Sequence, residues 1–271
     1  MLLALDLGGT KLAWAIMDEY GQVAHSGTIP TELINPSSLA NILQSRLPDA
    51  SIDAIGMAVA GACQETRITY CPHLPGWENR DMASVLSSWS VPIRVINDGH
   101  AALRGQRWHD RVAWHHALLL TIGTGIGGAL CIDGHILSGR HGITGVFGSL
   151  RVNRHPLEET ASGPAVARLS ACQTAEDALT NWHRGDPTAR AAFQLASNAL
   201  YEAVTLLTGL LDVPRVFISG GFGLAAFDAL FPHKTLPPSW KIHPIAQQSV
   251  QILPVFSSDV TLLGAVDSWL R

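Results

Sequence analysis

The chain opens on an apolar run, a glycine bend and a second apolar run, MLLALDLGGTKLAWAI, and the layout returns in HHALLLTIGTGIGGALCIDG at residues 115–134. Each copy heads a similar succession of elements. That predicts a duplicated α/β fold with two lobes and a central cleft. In the first half LLALDL, LAWAIMD and QVAHSGTIP read as short strands, with turns at Gly8-Gly9 and Tyr20-Gly21. PSSLANILQSRL has apolar residues at helical spacing behind Pro36. IDAIGMAVAG reads as a buried strand and RDMASVLSSW as a helix. VPIRVIND is a strand, and GHAALRGQRW begins a helix. In the second half HILSG adds a third strand, and helices are expected near 163–170, 174–183 and 187–211. Strand RVFISGG, helix GLAAFDALF, strand VQILPV and helix VTLLGAVDSWL follow. The expected lobes are 1–114 and 115–271, with a final helix at about 259–271 packing back on the N-terminal lobe.

A chain of 271 residues can bury a large core. Its net charge of −4 gives no reason to expect nucleic acid or an anionic membrane as partner. No apolar stretch approaches a membrane span, and Asp6 interrupts an N-terminal run that has no basic start, so a signal peptide is not expected. Cys63, Cys71, Cys131 and Cys172 are scattered and read as reduced thiols. The twelve histidines include pairs such as His115-His116, but none has an obvious metal-ligand spacing on a helix.

Glycines in a bend serve either a hairpin turn or the close approach of backbone N–H groups to phosphate, and the first bend fits both uses. GTGIGG at 123–128 formally matches a dinucleotide fingerprint. However, a strand-like segment follows it, and no acid occurs between Asp133 and Glu158. A bend lined with N–H groups and the hydroxyls of Thr121 and Thr124 still suits phosphate. SGGFG at 219–223 sits between a strand and a helix, where it is either a plain turn or a helix start facing an anion. In INDGHAA, Asn97 and Asp98 fit a helix N-cap, and Asp98 also fits a general base at a strand end.

Taken together, ALDLGGTKLAWAI, GMAVAG, PHLPGW, VINDGHAA, LLLTIGTGIGGAL, DGHILSGRHGITG, EETASG and VFISGG resemble the ROK family of repressors, open reading frames and kinases, in order through nearly the whole chain. The resemblance implies the actin-like ATPase (ribonuclease H-like) fold and a sugar kinase using ATP and Mg²⁺. It reads Asp6, Gly8, Gly9, Thr10 and Lys11 as the first phosphate motif, with Asp6 organising Mg²⁺, through water. Thr121, Gly123, Thr124, Gly125, Gly127 and Gly128 are read as the second phosphate motif, and Gly220 and Gly221 as the adenosine side. Asp98 is read as the catalytic base, with Asn97, Gly61 and Glu158 along the sugar. The first motif starts at residue 6 with no helix-turn-helix before it, which points away from the repressor branch.

The departures are local. GVFGS stands where kinases of the family carry G-E-x-G-H or G-H-x-G-H, so Val146 and Ser149 replace a sugar-contacting residue and a zinc-binding histidine. The family's CxCGxxGC zinc cluster is missing, and no zinc is expected. Val146 and Phe147 either form an apolar wall for an N-acetyl methyl or fill space left by the zinc loop. His73 of PHLPGW stands where relatives often have asparagine.

The expected reaction is phosphorylation of N-acetylmannosamine to its 6-phosphate, in sialic acid catabolism. The alternatives are glucose or another hexose, N-acetylglucosamine, or a non-catalytic ATP-binding regulator. Polyphosphate as donor is disfavoured by the acidic balance. The expected location is the cytoplasm. Members of the family are often dimers, and a homodimer is compatible with this sequence.

Overall fold

The computed structural model describes residues 1–111, 114–236 and 250–271. The chain divides into two compact units. One comprises Met1–Val112, Ser138–Thr144 and Asp259–Arg271, and the other Ala113–Leu137 and Gly145–Ser258.

The first unit contains β1 (Leu2–Leu7), β2 (Lys11–Met17), β3 (Val23–Pro30), α1 (Leu39–Arg46), β4 (Ala54–Val59), β5 (Ala62–Gln64), β6 (Arg67–Tyr70), β7 (Arg80–Asp81), α2 (Met82–Val85), β8 (Ile93–Asn97) and α3 (Asp98–Asp110). Its main sheet has the order β3-β2-β1-β4-β8, with β1, β4 and β8 parallel. The first apolar run is continuous because both faces of β1 are covered. Leu3, Leu5 and Leu7 pack with Leu39 and Leu43 of α1, while Leu2 and Ala4 face Leu262, Leu263 and Val266.

The second unit repeats the plan with β9 (Ala117–Ile122), β10 (Ile126–Ile132), β11 (His135–Ile136), β12 (Arg151–Val152), β13 (His155–Pro156), α4 (Leu157–Ala161), α5 (Gly163–Leu169), α6 (Ala175–His183), α7 (Pro187–Leu211), β14 (Arg215–Ser219), α8 (Gly221–Ala225), α9 (Phe227–Leu230) and β15 (Gln251–Pro254). Its sheet has the order β11-β10-β9-β14-β15. Leu118, Leu120 and Ile122 of β9 share one core with Phe193, Ala196, Leu200 and Val204 of α7. Asp186 caps α7, accepting the Ala189 N–H at 2.8 Å ahead of Pro187, which suits the first turn.

The chain then returns to the first unit as α10 (Val260–Val266). A Cβ on Gly264 would strike the Ala101 carbonyl, one on Gly105 the Val260 carbonyl, and one on Gly56 the Ala265 carbonyl. Three hydrogen side chains therefore let α10 approach α3 and β4 at backbone distance. The segment Ser138–Thr144 also belongs to this unit: the His100 ring nitrogen Nε2 lies 2.8 Å from the Thr144 carbonyl oxygen, and Gly142 lies against the Cys63 backbone.

Some elements differ from the sequence expectation. The helix expected over 80–89 is α2 followed by a 3₁₀ turn, Ser87–Trp89. Asp81 caps it by accepting the Ala83 N–H, so the helix starts late, and Ser90 ends the turn with φ of 54°. The helix expected over 223–231 is interrupted at Ala226, giving α8 and α9. The small sheet β5-β6-β7 and the β12–β13 hairpin are additions. That hairpin turns at Asn153 and Arg154, with φ of 50° and 72°, the positive pair a tight two-residue hairpin requires.

Candidate functional site

In the first unit the carboxyl ends of three parallel strands line up. Leu7 of β1 is in register with Val59 of β4, and Val59 with Asn97 of β8. Ligands of open α/β sheets bind outside such ends. Asp6, Gly61 and Asp98 are placed there by the strands that carry or precede them. Asp98 opens α3, and one of its oxygens accepts the Gly99 N–H at 2.9 Å. Burial pushes its pKa up to about 6. Asp6 is pushed to about 7, first by burial and then by the charge of Asp98, while Lys11 pulls the other way. Two carboxyls with pKa values raised to about 7 and about 6 at one sheet edge are groups able to exchange a proton or hold a cation.

Asn97 caps α3. Its Oδ1 accepts the His100 N–H at 3.1 Å, and its Nδ2 donates to the Gly61 carbonyl at 2.9 Å. Asn97 therefore ties the end of β4 to the start of α3 and fixes the backbone that carries Asp98. Gly61 has no room for a Cβ against the Tyr70 carbonyl.

The β1–β2 bend is a tight hairpin turn, with the Gly8 N–H bonded to the Lys11 carbonyl at 3.0 Å. Thr31, just past β3, buttresses it: its hydroxyl donates to the Gly8 carbonyl, and its N–H to the Thr10 carbonyl. Neither Gly8 nor Gly9 adopts a positive φ. A Cβ on Gly9 would meet nothing nearer than His73 at 3.4 Å. The turn itself does not require glycine there; an approaching ligand would.

The second unit shows the same contrast. Thr121 ends β9 beside Ser219 of β14. Its hydroxyl is buried and has no hydrogen-bond partner among the described residues. A Cβ on Gly123 or Gly221 would meet nothing within 4 Å, so both positions face open space. Thr124 lies in the same bend as Gly123, and Gly127 follows in β10, paired with Thr121. Gly125, Gly128 and Gly220 have structural reasons instead. Gly125 lets the Glu158 carboxylate in, Gly128 crosses the Leu119 carbonyl, and Gly220 has φ of +86°.

Glu158, from α4, accepts the Ile126 N–H at 2.8 Å. It braces the 123–128 bend with one oxygen. Phe147 is buried in the unit's core against Gly128, the space-filling use of that residue, whereas Val146 is 55% exposed. Among the described residues no group of three or more His, Cys, Asp or Glu side chains converges as a metal cage. Mg²⁺ needs no such cage, because it binds through one or two carboxylates plus phosphate oxygens. The uncompensated negative charge around Asp6 fits that mode.

Sequence reasoning passed over two residues. His100 lies in the first turn of α3 and latches Thr144. Burial lowers its pKa, leaving a neutral ring whose Nε2–H donates to that carbonyl. Cys63 lies near Asp98, and burial together with that charge pushes its thiol up to about 12, so it is an inert neighbour. Nothing in a one-dimensional pattern sets either apart.

The family model described as the ROK family matches residues 2–268. The N-acetylmannosamine kinase of Pasteurella multocida is 27% identical over 247 residues, 82% of each chain. The glucokinase of Streptomyces coelicolor is 26% identical over 187 residues, 63% of this chain and 59% of the relative. Among solved structures, the ROK family glucokinase of Streptomyces griseus in complex with glucose and AMPPNP matches with a TM-score of 0.81 at 22% identity, covering 98% of both chains. The fold is thus the actin-like ATPase fold expected from the sequence.

Proposed function

The chain belongs to the ROK family and is a sugar kinase of that family, and from that premise we propose that it transfers the γ-phosphoryl group of ATP to the 6-hydroxyl of N-acetylmannosamine. The observation that carries the reading is Asp98. It is a carboxylate at the carboxyl ends of the parallel strands, backed by the Asn97 cap, with a pKa of about 6 that suits a general base near neutral pH.

Asp98 accepts the proton of the acceptor hydroxyl as its oxygen bonds to the γ-phosphorus, and the bond to ADP breaks. The N–H groups of the two bends that are not bonded within the fold, as those of Gly8, Gly123 and Ile126 are, offset phosphate charge, helped by the Thr121 hydroxyl, and Gly220–Gly221 take the adenosine side. Mg²⁺, held by Asp6 through water, would supply further charge neutralisation. Gly61 and Asn97 shape the acceptor side, and the second oxygen of Glu158 binds a sugar hydroxyl. The segment 145–149 is held by Phe147 in place of zinc.

N-acetylmannosamine and glucose kinases are relatives at nearly equal identity. The choice between them rests on Val146, whose exposed isopropyl group suits an N-acetyl methyl better than a hydroxyl. The cytoplasm, where ATP is available, is the place this reading gives the reaction. The test is ADP release with Mg-ATP against a sugar panel, with Asp98→Asn as control. Turnover on N-acetylmannosamine that vanishes in the variant is expected. Turnover on glucose alone would reassign the acceptor. ATP binding without turnover on any sugar would favour a regulatory member.

A further inference from the structure

A pocket of about 820 Å³ opens in the first unit among β8, α3, the small β5-β6-β7 sheet and the segment 138–144, and every residue lining it belongs to that unit. Its walls carry four arginines, Arg67, Arg94, Arg104 and Arg140, against two acids, Glu65 and Asp81. Asp81 is already engaged by the Thr66 and Ser84 hydroxyls and the Ala83 N–H. Arg67 donates to the Asn79 carbonyl.

The other three cations are under-compensated. Arg94 and Arg104 share a single carboxylate, Asp267, at 3.1 and 3.2 Å. The Arg104 Nε–H is buried and has no partner among the described residues. Arg94 has its pKa lowered by burial and then by the charge of Arg104, as expected for two guanidiniums held together with too little negative charge. Arg140 makes no hydrogen bond or ion pair among the described residues. His100 also lines the pocket. With its Nε2–H given to Thr144, its Nδ1 is an acceptor suited to a ligand hydroxyl.

We propose that this pocket binds a small hydroxylated oxyanion, its phosphate or carboxylate gripped by Arg94, Arg104 and Arg140. Guanidinium forks match both groups in geometry, and a cavity of this size accommodates a metabolite. The occupant would tie the segment 138–144, through Arg140, to the helix that begins at Asp98. This inference does not depend on the kinase reading.

Isothermal titration of the full chain without nucleotide tests it, with glycerol 3-phosphate, gluconate and inorganic phosphate as probes and glycerol as neutral control. At least one anion is expected to bind, more weakly as salt rises. Its affinity should fall roughly tenfold or more in Arg140→Gln and in Arg104→Gln, as for a lost hydrogen bond to a charged group. Arg140 is exposed and unpaired, so its substitution leaves the fold intact even where Arg104→Gln loosens Asp267. Asp98→Asn should leave the affinity unchanged. Binding of gluconate alone would identify the group as a carboxylate, and binding of the two phosphates alone as a phosphate. No binding of any anion, equal binding in Arg140→Gln, or loss of binding in Asp98→Asn would overturn the proposal.

Discussion

Asp98 acts electrostatically on Asp6, raising its pKa, so the carboxyl ends of β1 and β8 share a negative charge that Lys11 only partly offsets. The effect arises because parallel pairing through β4 brings the ends of two strands, more than eighty positions apart in the chain, to one edge.

Replacing Asp98 by asparagine keeps the shape and removes the proposed base. We expect kcat/KM to fall by about 10²–10⁴-fold, the usual contribution of general-base catalysis, with ATP binding retained. Coupled ADP release and nucleotide titration on the same preparation separate the two effects. A variant with near-normal turnover would exclude Asp98 as the base.

The pH profile follows from the raised pKa. Asp98 accepts a proton and Asp6 holds Mg²⁺ only when ionised, so kcat/KM should rise from about pH 6 through about pH 7 and level off above that. Burial moves His100 down, away from neutrality. A profile flat from pH 5 to 8 would contradict this assignment.

The same carboxyls affect stability with the opposite sign. Their folded pKa values, about 7 for Asp6 and about 6 for Asp98, lie above the unfolded value of 3.8. Their stabilising contribution is complete below pH 3.8 and is lost as pH rises through those folded values. Asp6→Asn and Asp98→Asn should therefore raise Tm at pH 8, by roughly 2–4 °C per kcal/mol of relieved charge burial, with the gain vanishing towards pH 4. Scanning calorimetry without nucleotide or metal reads this directly.

Glu158 can be divided into a brace and a charge. Glu158→Ala leaves the buried Ile126 N–H without its acceptor and should cost about 1–3 kcal/mol in urea unfolding. Glu158→Gln keeps an acceptor oxygen and should recover most of that loss. If acceptor KM still rises in the glutamine variant, the charge itself contacts the sugar.

Adding a methyl group where α10 meets α3 should be costly. Gly264→Ala and Gly105→Ala each place a Cβ against a backbone carbonyl, which no rotamer change relieves. We expect about 1–3 kcal/mol of destabilisation from each. Equal stability of either variant would mean that the helices can separate without penalty.

Much of this was legible in the sequence. The paired layout of strands around glycine bends gave the α/β plan, because strands covered on both faces read as continuous apolar runs. The distinction among glycines was not legible. Gly123 and Gly128 look alike in a motif, yet one faces open space and the other a neighbouring carbonyl. Asn97 was readable as a cap because capping is local, whereas its second bond, to Gly61, depends on strand pairing. The break at Ala226 and the β5-β6-β7 sheet arise from tertiary contacts and leave little local signal. His100 owes its role to a segment distant in sequence.

The glycine contacts of α10 also bear on the order of assembly. The helix that completes the packing of β4 and α3 is synthesised after the whole of the second unit, more than half the chain later. During synthesis the first sheet emerges early but waits with one face uncovered, while residues 145–258 can begin to collapse on contacts that are largely their own. Such long-range closure is slow, and exposed apolar strands aggregate while they wait. The nascent first unit is therefore the natural client for a chaperone, and truncation before Asp259 would leave it permanently in that state.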